Sequence, residues 1–177
     1  GEVGQGWQVS LTTLMNERAA IGSSFGQMDV SLALSVAQEV EIDGHPALED
    51  AAVRTKIANW YVQESGLKYT GYRSLTALSR GALPGPENSI GKLVGAPKMQ
   101  AMSSYLMDLL GASGAIADEA LATKAGIIQR AYMGAPGLRI AGGTDEIMAN
   151  IIAERVLGLP QEPRLDKGIP FNEVPTG

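Results

Sequence analysis

Glu17 and Arg18 stand side by side in a stretch, Trp7 to Glu41, whose apolar residues recur at steps of three and four. Glu17 is three residues after Leu14 and four before Ile21, and Arg18 is four after Leu14 and seven before Phe25. On a helix both ionisable groups therefore lie against the apolar stripe. A carboxylate sunk there holds a proton more tightly than one in water, which suits a general base. Equally, two flanking charges can lay their stems along the edge of the stripe and keep their heads in solvent. A second group lies in "IAGGTDEIMANIIAERVLGLP", Ile140 to Pro160. Thr144 fits a helix N-cap, Asp145 and Glu146 put negative charge in the first turn, and Arg155 sits in the last. Gly142 and Gly143 leave backbone N–H groups bare at a positive helix end, where an anionic or carbonyl ligand can come close; they also fit an ordinary glycine-rich turn.

The elements that must position these groups read as helices. Leu11, Leu14, Met15, Ile21, Phe25, Met28, Leu32, Val36 and Val40 predict one helix from Trp7 to about Glu41. "IDGHPALED" breaks the pattern with a turn, and Pro46 suits a first helical position. Val53, Ile57, Trp60, Tyr61, Leu67, Leu75 and Leu78 mark a second long helix stopping at Gly81. "GALPGPENS" is a loop by composition. A third helix covers about Ser89 to Leu110, with Pro97 as a kink. "GASGAIADEALATKAG" carries no clear period. A short helix near Ile127 to Gly134 precedes Pro136, and a helix from Thr144 to Leu157 follows, stopped by Gly158 and Pro160. Long helices joined by short loops predict an all-α, antiparallel up-and-down bundle over residues 1–160, with an extended or disordered tail over 161–177.

Bulk properties exclude several functions. At 177 residues the chain is one domain's worth, and its net charge of −5 supplies no basic patch for phosphates, so nucleic acid is not an expected partner. With no cysteine and one histidine, His45, neither a thiolate metal site, a histidine metal site nor a Ser-His-Asp triad is expected. No apolar run approaches the ~18 residues of a membrane span, and "GEVGQGW" lacks the features of a signal peptide. The expectation is a soluble, cytoplasmic protein.

Two motifs carry a family resemblance. "GGTDEIMANIIAERVLGLP" resembles the C-terminal signature of acyl-CoA dehydrogenases, the flavoenzymes that desaturate acyl thioesters, and "GQGWQVSLTTLMNERAAIG" resembles the start of their last helical domain. The likeness runs from about Gly4 to Pro160. "PGPENSIGKL" is similar to a bacterial branch linked to steroid or unusual acyl side-chain breakdown. The resemblance implies the C-terminal bundle of a longer enzyme whose N-terminal helical and β-domains are not in this chain. It implies FAD as cofactor, an acyl-CoA substrate, an electron-transfer flavoprotein as electron acceptor, and a homo- or hetero-oligomer through the bundle.

It also implies site residues. In many family members the residue before Gly-Thr is the catalytic glutamate; here it is Gly142, preceded by Ala141. Long-chain and isovaleryl-type members also have a small residue there and carry the glutamate on the first helix of the bundle, beside an arginine, which Glu17-Arg18 matches. The resemblance thus makes Glu17 the base for the substrate's α-proton, with Gly142 offering its backbone N–H to the thioester carbonyl. Arg18, Thr144 and Glu146 fall at cofactor-contacting positions. Where relatives bind FAD across a subunit boundary through Arg-x-x-Phe-Gly and a later Gln, this chain has Val40, Asp43 and Ala51, and Gln-x-x-Gly-Gly-x-Gly survives only from Asp108 to Gly114. Those departures imply either pairing with a different subunit that completes the adenosine side, or a non-catalytic assembly domain. Retention of Glu17 with Arg18 favours the first.

Overall fold

The computed structural model describes residues 1–23, 28–82, 85–116, 118–166 and 168–175, and six α-helices dominate them. They are α1 (Gly6–Ser23), α2 (Val30–Glu39), α3 (Ala51–Ser79), α4 (Asn88–Leu110), α5 (Ile127–Leu138) and α6 (Asp145–Ile151). One two-stranded hairpin, β1 (Glu41–Ile42) and β2 (His45–Pro46), lies between α2 and α3. The all-α class expected from the periodicity is the observed one.

The single helix expected from Trp7 to Glu41 is two. Asp29 takes an extended backbone (φ −106°, ψ 173°), and its carboxylate accepts the N–H of Leu32 at 2.9 Å, so it starts a fresh helix. An apolar stripe cannot reveal this break, because α2 continues the same three-and-four spacing on its own core face. After α2 the chain reverses over Asp43 (φ +52°) and Gly44 (φ +80°), the two positive values that a tight two-residue hairpin requires. Glu41 lies opposite Pro46 and Ile42 opposite His45. Pro46 is therefore a strand residue and not a first helical residue. The second long helix starts later, after Asp50, whose Oδ1 accepts the N–H groups of Ala52 (2.8 Å) and Val53 (3.0 Å).

The core is assembled around α4, which packs against all five other helices. Ala33, Val36 and Ala37 of α2, Val53, Ile57 and Trp60 of α3, Met102 and Leu106 of α4, and Ile128 and Ala131 of α5 are buried together. Trp60 meets Tyr105 edge to face, with centroids 5.6 Å apart. Across three helices runs a polar clamp. Lys98 of α4 donates to Glu64 of α3 at 3.0 Å, and the same carboxylate oxygen accepts the N–H of Val30 at 3.1 Å, at the start of α2. Beyond Trp60, α3 leaves several large apolar residues exposed, Tyr61, Val62, Tyr69 and Leu75 among them.

Proline acts more weakly than its sequence position suggests. α4 is one element through Pro97, and α5 continues through Pro136 to Leu138 where an end near Gly134 is expected. A proline removes one intrahelical bond, and packing along both helices offsets that loss. The last helix is α-helical only to Ile151; Ile152–Val156 form a π-helical turn, with the N–H of Leu157 reaching the carbonyl of Ile152 at 2.9 Å. "GASGAIADEALATKAG" contributes two 3-10 turns, Gly111–Ala115 and Thr123–Gly126. After Gly158 the described residues hold only the short 3-10 turn Phe171–Glu173.

Candidate functional site

The turn between α5 and α6 gathers three of the expected site residues. Gly142 has φ +69° and Gly143 φ +116°, two consecutive conformations that side chains resist, which explains the glycine pair before any ligand is invoked. The N–H of Gly143 closes on the carbonyl of Ile140 at 3.1 Å, and the N–H of Ala141 on that of Gly137 at 2.9 Å. Thr144 then caps α6, its hydroxyl oxygen accepting the N–H of Ile147 at 3.4 Å. The same hydroxyl donates to Glu146, and this bond, with Glu146's own backbone N–H and the positive charges of Arg139 and Lys92, holds the Glu146 carboxyl below the usual carboxylate range. Gly142, Thr144 and Glu146 are thus one local unit.

Two cations brace that unit from opposite sides. On the outer side Arg139 grips Asp145, with Nε and a terminal nitrogen 2.6 and 2.5 Å from Oδ2, and reaches Gln100 of α4 at 3.0 Å. On the inner side Lys92 of α4 is fully buried, and its Nζ donates to the carbonyl of Arg139 at 3.1 Å and to the carbonyl of Gly143. Sequence reasoning did not single out Lys92. The signal was present: Lys92 falls in register with Ser89, Ala96, Ser103, Leu106 and Leu110, the buried face of α4.

Glu17 is delivered by a different element. It is half-buried on α1, and α1 packs on α4, as α6 does, so α4 is the shared support of the carboxylate and of the glycine turn. The backbone of Arg18 belongs to α1, and its side chain lies outside the described residues. The three positions at which the family resemblance implies adenosine contacts lie in and around the hairpin: Val40 ends α2, Asp43 sits exposed in the turn, and Ala51 starts α3.

Two ligand surfaces are therefore unequal in chemistry. At the α5–α6 turn, glycine backbone that carries no side chain, the Thr144 hydroxyl and the partly exposed Arg139 offer polar groups to a ligand. At the hairpin, Val40, Asp43 and Ala51 themselves contribute an isopropyl group, a carboxylate and a methyl group, while a cation and an amide, Arg54 and Gln38, line a cavity with Pro46. Among the described residues there is no group of three or more His, Asp or Glu side chains placed to hold a metal, and no helix is long and apolar enough to cross a membrane.

Comparison with known proteins matches residues 4–157 to the family model described as acyl-CoA dehydrogenase, C-terminal domain. The acyl-CoA dehydrogenase FadE34 of Mycobacterium tuberculosis is 29% identical over 163 residues, which are 91% of this chain and 21% of that protein. The acyl-CoA dehydrogenase IpdE1 of the same organism is 30% identical over 171 residues, 93% of this chain and 41% of that protein. Among solved structures, the Tcur3481–Tcur3483 steroid ACAD superposes with a TM-score of 0.75 at 26% identity, over 92% of this chain and 42% of that one. The chain spans between a fifth and two-fifths of the length of these curated relatives.

Proposed function

The chain belongs to the acyl-CoA dehydrogenase family, as its C-terminal helical domain, and from that membership we propose that it serves the α,β-desaturation of an acyl-CoA thioester in a longer, FAD-dependent enzyme. The carrying observation is the division of labour around α4: a half-buried carboxylate, Glu17, comes from α1, while the position before Gly143-Thr144 is glycine and presents no side chain at all.

FAD, when bound, supplies the acceptor for the substrate's β-hydride. Glu17 takes the α-proton; a carboxylate is the group of suitable basicity, and it must come within hydrogen-bond reach of that carbon's proton. Gly142 lines the reacting carbons with backbone alone, so that no second carboxylate competes for the proton. Thr144 and Glu146 on one turn, with Arg18 on α1, hold the flavin side. The electrons leave to an electron-transfer flavoprotein, as the family membership suggests. A steroid ACAD among the solved neighbours supports a bulky, polycyclic acyl chain as the substrate class.

Val40, Asp43 and Ala51 favour one refinement. A subunit with this hairpin is unsuited to a neighbour's adenosine phosphate, so it pairs with a different subunit that carries the basic and amide side chains. The alternative reading, a non-catalytic assembly domain, makes Glu17 dispensable. The test is Glu17→Gln in the full-length enzyme, which keeps the shape and removes the basicity. With flavin content measured and unchanged, kcat falls by about 10²–10⁴. Wild-type turnover at full flavin content would refute Glu17 as the base and leave the assembly reading in its place.

A further inference from the structure

We propose that Lys92 is a positioning residue for this reaction, fixing from inside the bundle the Gly142–Thr144 turn beside which the acyl carbons are held; the proposal rests on the function assigned above. Lys92 is 0% exposed, and it stands on the core face of α4 in register with Ala96 and Leu106. Packing alone does not call for lysine there, since a hydrocarbon of that length fills the space without burying a charge. What lysine adds is three N–H donors at the end of a long stem. Two of the acceptors are the carbonyl of Arg139, where α5 ends, and the carbonyl of Gly143, just before α6 begins. One nitrogen thereby ties both ends of the connection to α4.

The turn needs such a tie. Two consecutive glycines give it the positive φ values it uses, and the same freedom leaves it little resistance to other shapes. The peptide unit between Gly143 and Thr144 is planar and trans, so directing its carbonyl onto Lys92 turns the Thr144 N–H to the opposite side. Lys92 thus sets how the capping residue faces the ligand side. In the outer brace, Arg139 on Asp145, the arginine side chain is 44% exposed and open to competition from water and salt. The buried brace is not.

The chain contains no cysteine, so Lys92→Cys introduces a unique thiol that can be alkylated in urea and refolded. Alkylation with 2-bromoethylamine rebuilds a lysine-length side chain with its ammonium, and 1-bromopropane gives the same length without charge. Hydrogen exchange is read at the N–H groups of Ala141, Gly143 and Ile147, which bond within the turn, against Ile57 and Trp60 of α3 as reference. The aminoethyl form matches the unmodified protein, and the propyl form exchanges at least about tenfold faster in the turn with α3 unchanged. Equal turn exchange in the two forms overturns the proposal. Lys92→Met, expressed without alkylation, makes the same comparison by an independent route. In the full-length enzyme Lys92→Met lowers kcat by about tenfold or more, with KM and flavin content unchanged. A loosened turn with unchanged kcat also overturns the positioning role. A wild-type enzyme without dehydrogenase activity instead defeats the proposed function, and the exchange result still reports the hold of Lys92 on the turn.

Discussion

Glu64→Ala and Lys98→Met remove opposite halves of one ion pair, and their costs are unequal because the two groups see different solvent. The Lys98 side chain is 3% exposed and that of Glu64 37%. Glu64→Ala deletes the acceptor of two hydrogen bonds, from Lys98 at 3.0 Å and from the Val30 N–H at 3.1 Å, and strands an ammonium inside the bundle. Stranding a buried charge costs about 3–5 kcal/mol, and the partial exposure of Glu64 brings the expectation to about 2–3 kcal/mol. For a domain of this size that lowers the thermal midpoint by about 5–10 °C. Lys98→Met removes the buried charge and replaces it with hydrocarbon of similar length, while Glu64 keeps the Val30 N–H and gains water, so the cost is about 0–1 kcal/mol. Urea unfolding reads both. Trp60, 5% exposed, reports loss of the core, and Trp7, 73% exposed, contributes a nearly constant background. If Lys98→Met destabilises as much as Glu64→Ala, the clamp is a net electrostatic gain and the reasoning from unequal burial is wrong.

Asp50→Ala removes the cap that accepts two N–H groups at the start of the 29-residue α3 and costs about 1–2 kcal/mol by thermal unfolding; a shift within error would refute the capping role. Thr144→Ala costs about 1 kcal/mol and also removes the chief cause of the lowered Glu146 carboxyl, which then titrates closer to its ordinary value of 4.5, as read by carboxyl-carbon NMR. A carboxyl lowered in the folded state stabilises the fold above its unfolded value and loses that contribution as pH falls through the folded value, so the acid limb flattens in the variant; an unchanged Glu146 titration would contradict the assignment. The exposed Tyr61, Val62, Tyr69 and Leu75 of α3 predict self-association of the 177-residue chain at micromolar concentration, and a strict monomer by light scattering would refute it. The same preparation is expected to be colourless, because Val40, Asp43 and Ala51 give an adenosine phosphate no grip; a bound-flavin absorption spectrum would overturn that.

Periodicity at three and four residues determined the helical class, and local chemistry determined several ends, since Thr144 caps α6 and Gly158, at φ +70°, follows the end of the last helical segment as their types predict. These are short-range effects, decided within one or two turns of backbone. The family motif likewise placed Gly142, Thr144 and Glu146 on one segment, where a hydrogen bond joins Thr144 to Glu146. The sequence did not separate α1 from α2, because the apolar spacing runs on through Asp29, where the backbone leaves the helix and a new one is capped. Nor did it stop α5 correctly at Leu138, because a proline's lost hydrogen bond is small beside the packing of a whole helix against α4. Only the tertiary structure decided what Lys92 and Lys98 do. Their partners lie 47 and 51 residues away for Lys92 and 34 residues away for Lys98, and a buried cation is stable only where the folded chain brings acceptors to it. Residue type and register can mark such a lysine as out of place, but what it holds is fixed by the elements that pack around it.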